Sequence, residues 1–342
     1  MAERLLEVKD LKVRFATEDG IVRAVDGISF ELERGKVLGI VGESGSGKSV
    51  TAMTLMGLTR GVNARFEGEV LYKGTDLLKI SDRDMQSFRG NELGMIFQDP
   101  MTSLNPVYRI GEQIVEAIQA HENIDKRQAR SRTIELLRQV GIPNPETRVD
   151  DFPHQFSGGM RQRAMIAMAL SCNPSILIAD EPTTALDVTI QAQIVELVNR
   201  LKDDFDSAVI FITHDLGVIA DIADEIIVMY AGRVVERGSK RDVFYDPQMP
   251  YTWGLLGSIP RLDRPRPERL HTIEGSPPSL INLPEGCKFR PRCPHAFDKC
   301  MQEPGLENRV ESPGHLDRCW LDVDFKRSNR DRTISGSSVE AA

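Results

Sequence analysis

Val37-Leu38-Gly39-Ile40-Val41-Gly42-Glu43-Ser44-Gly45-Ser46-Gly47-Lys48-Ser49 is the stretch whose reading decides the fold. Its first five residues are a continuous apolar run, the pattern of a strand buried on both faces. Gly42 to Ser49 fits G-x-x-x-x-G-K-[ST] and sits where that pattern belongs, after a buried strand and before a helix that starts near Lys48. The glycines let successive backbone N–H groups turn inward on a polyphosphate, and the helix N-terminus adds its positive end. On this pattern Lys48 reaches the β- and γ-phosphates and Ser49 ligates Mg²⁺. Ser44, Gly45, Ser46, Gly47 and Val50 complete the candidate ATP-binding set.

Outward from this cradle the chain reads as an α/β protein. Before residue 41 the alternation of apolar and polar residues predicts short strands, with turns at Asp19-Gly20 and Arg34-Gly35. From about 106 to 171 the pattern turns helical. Buried strands follow at 176–179 and 209–213 with a helix at 190–201 between them, an order that predicts a parallel sheet. Residues 226–235, broken at Ala231-Gly232, read as a hairpin capping that sheet. Asp180 and Glu181 close the strand at 176–179. Asp180 is placed to hold Mg²⁺ and Glu181 to polarise an attacking water, which is most of what phosphoryl transfer asks of a protein. After Gly238 the texture changes, and Pro247, Pro250, Pro260, Pro265 and Pro267 mark a linker. The polar tail 326–342 reads as disordered.

Composition narrows the class. The 342 residues carry a formal charge of −8, and the pI of about 5.4 argues against nucleic acid as a partner. No run approaches the ~18 apolar residues of a membrane span. The N-terminus lacks a secretory pattern, so any membrane role must come through partners.

Four further motifs point to a family. Phe156-Ser157-Gly158-Gly159-Met160 resembles the signature of ABC ATPases, Thr184-Ala185-Leu186-Asp187 their D-loop, Thr213-His214-Asp215 their switch segment and Gln98-Asp99-Pro100 their Q-loop. Phe156, Met160 and Val50 depart mildly from the usual residues. The resemblance implies a P-loop ABC ATPase domain over 1–258: a RecA-like core, an antiparallel β subdomain and a helical subdomain at about 99–171. It implies that two such domains sandwich ATP head to tail, so that Ser157, Gly158 and Gly159 serve the partner's nucleotide. By the same resemblance His214 contacts the γ-phosphate, Gln98 touches Mg²⁺ or the water, and Asp187 belongs to the D-loop. Phe15 is the candidate to stack on adenine.

The wording of 98–106, of Pro153-His154-Gln155 and of 189–193 resembles the ATPases of peptide and nickel permeases, the first of their two ATPase subunits most of all. That implies di- or oligopeptide import, with a paralogous ATPase partner, two membrane permease subunits, an extracytoplasmic binding protein and a place on the cytoplasmic face of the inner membrane. Nickel or another small solute is the alternative cargo, and a soluble regulatory ATPase with a metal-sensing module the alternative class.

Cys287, Cys293, Cys300 and Cys319 lie in an extension at 259–325, with gaps of five, six and eighteen residues. Four thiolates suit Zn²⁺ or a [4Fe–4S] cluster. The short knuckle of zinc sites is absent, and the resemblance implies the iron–sulfur centre. Cys172 reads as packing, and His121, His271 and His315 as surface residues.

Overall fold

The computed structural model describes residues 3–184, 186–259 and 272–335. β1 (Arg4–Thr17) and β2 (Gly20–Glu33) form one long antiparallel hairpin, where several short strands were expected. Register shifts along the pair, one of them between Val8 and Leu11, bend it without ending it, as bulges do. β3 (Val37–Val41) leaves this layer for the main sheet. β4 (Ala64–Tyr72) and β5 (Thr75–Asp76) return to complete a four-stranded sheet, ordered β2-β1-β4-β5. β6 (Leu93–Ile96), β7 (Ile176–Asp180) and β8 (Ala208–Thr213) pair in parallel with one another and with β3, as expected. β3, β7 and β8 are buried along their whole length, which is why their sequences are unbroken apolar runs. β9 (Glu225–Tyr230) and β10 (Arg233–Ser239) form the expected hairpin. β9 lies inside the sheet beside β3, because its apolar residues need cover on both faces.

The helical region packs Ile110–His121, Lys126–Gln139 and Gly158–Ala169 on one another. Ile110, Ile114 and Ile118 recur at helical spacing and are fully buried.

The C-terminal third departs most from expectation. Where a linker was read, Lys240–Tyr245 and Pro250–Gly257 are helices, the second opened by Pro250 in its first turn and carrying the buried Tyr251 and Trp253. The other linker prolines, Pro260, Pro265 and Pro267, and His271 lie outside the described residues. β11 (Glu307–Asn308) and β12 (Leu316–Asp317) extend the main sheet, β12 pairing with β10, so the sheet runs across the change in sequence texture.

Two expectations here are corrected. The tail read as disordered over 326–342 is helical as far as it is described, over Val323–Ser335, and 336–342 lie outside the described residues. Lys326 is completely buried with Nζ 2.7 Å from Asp317 Oδ1, and Arg327 and Arg330 pair with Asp246. A polar sequence is ordered here by ion pairs to elements remote in the chain. His315, read as a surface residue, is buried with Nε2 2.9 Å from Glu236 Oε1. Glu236 also accepts the backbone N–H groups of Gln248 and Met249, which ties β10 to the helix that follows. His121 is exposed, and Cys172 is buried against Ala117 as packing.

Candidate functional site

The cradle is built by backbone geometry. Gly47 caps the helix Lys48–Leu55 at φ 101°, and a Cβ there would lie 2.4 Å from the Ala24 carbonyl oxygen, so only glycine fits. Lys48 is 4% exposed. Its Nζ donates to the carbonyls of Gly42, 2.7 Å away, and Glu43, 3.0 Å away, and so closes the loop on itself. Burial lowers the Lys48 pKa, opposed by the negative charges of Glu181, Asp180 and Glu43. Ser46 Oγ is buried with no hydrogen-bond partner among the described residues, a spare hydroxyl in a loop shaped for phosphate.

β7 brings the acidic pair to the cradle. Ser49 Oγ donates to Asp180 Oδ1 at 3.0 Å. Burial raises the Asp180 pKa, and the Ser49 hydrogen bond works against that rise. A hydroxyl and a carboxylate held together are the hard oxygen donors that Mg²⁺ takes, so the residues fit this ion.

Glu181 follows at φ 47°, a left-handed conformation uncommon outside glycine and concentrated at working sites. Three groups converge on its Oε2: Gln98 Nε2 at 3.0 Å, Thr184 Oγ1 at 2.9 Å and His214 Nδ1 at 3.3 Å. None of these contacts involves Oε1. Gln98 comes from the end of β6, Glu181 from β7 and His214 from β8, so the parallel sheet delivers all three to one edge.

A cavity of about 850 Å³ opens over these groups. Ser44, Gly45, Gly47, Lys48, Ser49, Val50, Gln98, Glu181 and His214 line it. Phe15 does not; it is half-buried and packs into the core beneath the four-stranded sheet. Ser157, Gly158 and Gly159 are also absent from the lining. Ser157 and Gly158 are exposed, and Ser157 caps its helix by accepting the Met160 N–H at 3.3 Å. Asp187, likewise exposed, caps the helix Val188–Phe205.

The lining also holds residues to which the sequence pattern gave no role at the nucleotide. Thr184 stands three residues after Glu181 in a tight turn, a spacing that could have flagged it. Leu255, Ser258, Thr272, Ile273 and Pro277 close one side of the cavity from beyond the core, and no local pattern marks them.

Cys287, Cys293, Cys300 and Cys319 line one second cavity, of about 10 Å³, with Phe289, Met249 and Leu321 around them. Burial pushes Cys293 and Cys319 up to about 12, and raises Cys287 as well. The neighbouring sulfurs add to each rise, so the four thiols are within electrostatic reach of one another. Among the described residues, no three His, Cys, Asp or Glu side chains are grouped closely enough to hold a single metal ion. Four soft sulfur donors, with the His295 imidazole also on the lining, fit a thiolate-held centre in kind.

Known proteins share this arrangement. The ABC transporter family model matches residues 25–184, and the model for the oligopeptide/dipeptide transporter C-terminal region matches 235–300. The oligopeptide transport ATP-binding protein OppD of Salmonella typhimurium is 53% identical over 94% of this chain and 95% of its own. The dipeptide transport ATP-binding protein DppD of Bacillus subtilis is 51% identical over 93% of this chain and 95% of its own. A bacterial ABC transporter cassette, MJ0796, solved as a dimer, superposes with a TM-score of 0.62 at 27% identity, covering 69% of this chain and 99% of that one. With a phosphate cradle, an acidic pair at the end of a strand of the same sheet and relatives matched almost end to end, the chain belongs to the ATP-binding subunits of oligopeptide and dipeptide ABC transporters and is an ATPase.

Proposed function

We propose that this ATPase powers import of di- or oligopeptides, working as one half of an ATPase pair on the cytoplasmic face of the membrane. The observation that carries the reading is the convergence of Gln98, Thr184 and His214 on Glu181 Oε2 beside the cradle. Held at one oxygen, the carboxylate keeps Oε1 for a water in line with the γ-phosphate. Lys48 releases its own loop carbonyls to take the β- and γ-phosphates, and His214 and Gln98 pass to the γ-phosphate and metal while Thr184 keeps its hold on Glu181 Oε2. Ser49, Asp180 and Gln98 are the residues to hold Mg²⁺, which when bound offsets phosphate charge.

The partners follow from what is left uncovered. Ser157 and Gly158 are exposed and lie away from this chain's own cavity, which supports their service to the nucleotide of a second, paralogous ATPase subunit. Met101, Val107 and Tyr108 are exposed apolar residues just past Gln98, a surface suited to a membrane subunit. No helix among the described residues is long and apolar enough to cross a membrane. On the likeness to oligopeptide and dipeptide transport ATP-binding proteins, two permease subunits and an extracytoplasmic binding protein carry the cargo. The four cysteines are read as ligands of a [4Fe–4S] centre, which their shared cavity of sulfur donors suits in kind, with Zn²⁺ the alternative. When bound, such a cluster neutralises the thiolates and cross-links 287–300 to Cys319.

The test uses the assembled transporter in vesicles. ATP hydrolysis is expected to rise when peptide-loaded binding protein is added. Glu181→Gln should retain ATP binding while losing hydrolysis by about 100-fold or more. Near-normal turnover in that variant removes Glu181 from its role, and indifference to peptide removes the cargo.

A further inference from the structure

Arg292 lies one residue before Cys293, far from the cradle in sequence, yet its side chain is 5% exposed and meets Glu43, the second residue of the phosphate loop. The pair is bidentate: Arg292 Nη1 to Glu43 Oε2 at 2.6 Å and Nη2 to Oε1 at 3.0 Å. The guanidinium spends its remaining donors on the cavity wall. Nε donates to the Glu274 carbonyl at 2.9 Å, Nη2 to the Ile273 carbonyl at 3.2 Å and Nη1 to the Tyr230 hydroxyl at 3.4 Å. All five of its N–H donors are thereby used, which a lysine cannot reproduce.

Both partners of this fork matter to the nucleotide. Ile273 lines the cavity together with Thr272 and Pro277, so the carbonyls that Arg292 holds belong to the cavity's outer wall. Glu43 accepts Lys48 Nζ through its carbonyl, gives its backbone N–H to Tyr251 Oη at 2.8 Å, and its charge is felt at Lys48. Tyr251 packs with Tyr230 and Phe289 at ring separations of 4.7 and 5.4 Å, and Phe289 lines the cysteine cavity. Unpaired, the Glu43 carboxylate would set a negative charge beside the incoming triphosphate and compete with it for Lys48.

We propose that Arg292 is a positioning residue for ATP, which neutralises Glu43 in the phosphate loop and fastens the wall at 272–277 to it, making the cysteine-bearing extension part of the nucleotide site. The ATPase reading of the cavity underlies this inference. ATP meets a loop whose one acidic side chain is already occupied, and a wall that is already placed.

The experiment measures MgATP affinity of the full chain and KM and kcat of the assembled transporter. Arg292→Ala is expected to weaken ATP binding by about tenfold. The loss should fall on KM, with kcat at saturating ATP kept, because Gln98, Glu181 and His214 are untouched. Adding Glu43→Gln to Arg292→Ala should tighten binding again, which a merely structural arginine does not predict. Unchanged affinity in a folded Arg292→Ala protein overturns the proposal, as does a double variant no tighter than the single one. If Arg292→Ala does not fold, Arg292→Lys carries the test, with about threefold weaker ATP binding expected from the lost fork and wild-type affinity refuting it. Lys48→Ala serves as the control: if it binds ATP as the wild type does, the nucleotide reading of the cavity fails instead.

Discussion

The nucleotide cavity and the cysteine cavity lie on two sides of Arg292, and they are built in opposite ways. The first is open, about 850 Å³, with charged and polar groups from three strand ends turned into it. The second is about 10 Å³, no more than the space of one water molecule, and is lined by four sulfurs, apolar neighbours, Arg290 and His295. A ligand that must enter and leave each cycle needs space and solvated charges standing ready. A resident centre needs donors kept from water and from oxidants. The contrast also explains the titration behaviour. Burial lowers the Lys48 pKa against the pull of Glu181, Asp180 and Glu43, whereas burial and neighbouring sulfurs raise Cys293 and Cys319, the latter despite the Lys326 charge.

If the open cavity is completed only by a second chain, blocking this chain's contribution to its partner should hurt hydrolysis and spare binding. Ser157→Arg is expected to reduce peptide-stimulated hydrolysis by about 100-fold, the order lost when a γ-phosphate donor is removed. Its own MgATP affinity in the isolated chain should stay at the wild-type level. Loss of binding by the isolated variant would make Ser157 part of its own cavity and break the contrast.

The closed cavity is probed by its contents. Protein purified without air should be brown and carry about four irons per chain, and Cys293→Ser should lose both colour and iron. A colourless, fully active preparation with one zinc per chain overturns the iron assignment, and one with no metal leaves the thiols as core packing.

A pH titration sharpens the difference in protonation. In metal-free protein Cys293 and Cys319 rise from about 9 to about 12 on folding. The folded state then holds protons that the unfolded chain releases, so stability is intact below pH 9 and falls as pH rises from 9 to 12. The slope is about 1.4 kcal/mol per pH unit for each thiol. Chemical denaturation across that range measures it. The metal-loaded protein, with its thiolates already deprotonated, should lack this slope.

Much of the nucleotide site was legible in the sequence because its chemistry is local. A buried apolar strand, a glycine-rich loop and a helix start follow one another without interruption at 37–49, and the Asp180-Glu181 pair ends another such strand. Hydrophobic burial and backbone geometry act over a few residues there, and neighbours in sequence remain neighbours in space. Phe15 shows the boundary of that reasoning. Its assignment to adenine rests on resemblance alone, since no local pattern separates a stacking aromatic from one that packs inward against the core, as Phe15 does here.

The sequence by itself therefore determined the P-loop, the acidic strand, the parallel sheet and the grouping of four cysteines. Tertiary structure alone decided what surrounds them. His315 is buried beside Glu236 of another strand, and the polar tail is docked because Asp317 and Asp246, outside its helix, pair with Lys326, Arg327 and Arg330. Arg292 reaches Glu43 because the extension folds back across the core. Ion pairs and buried hydrogen bonds need two partners in one place, and where those partners lie far apart in the chain no window of sequence contains both.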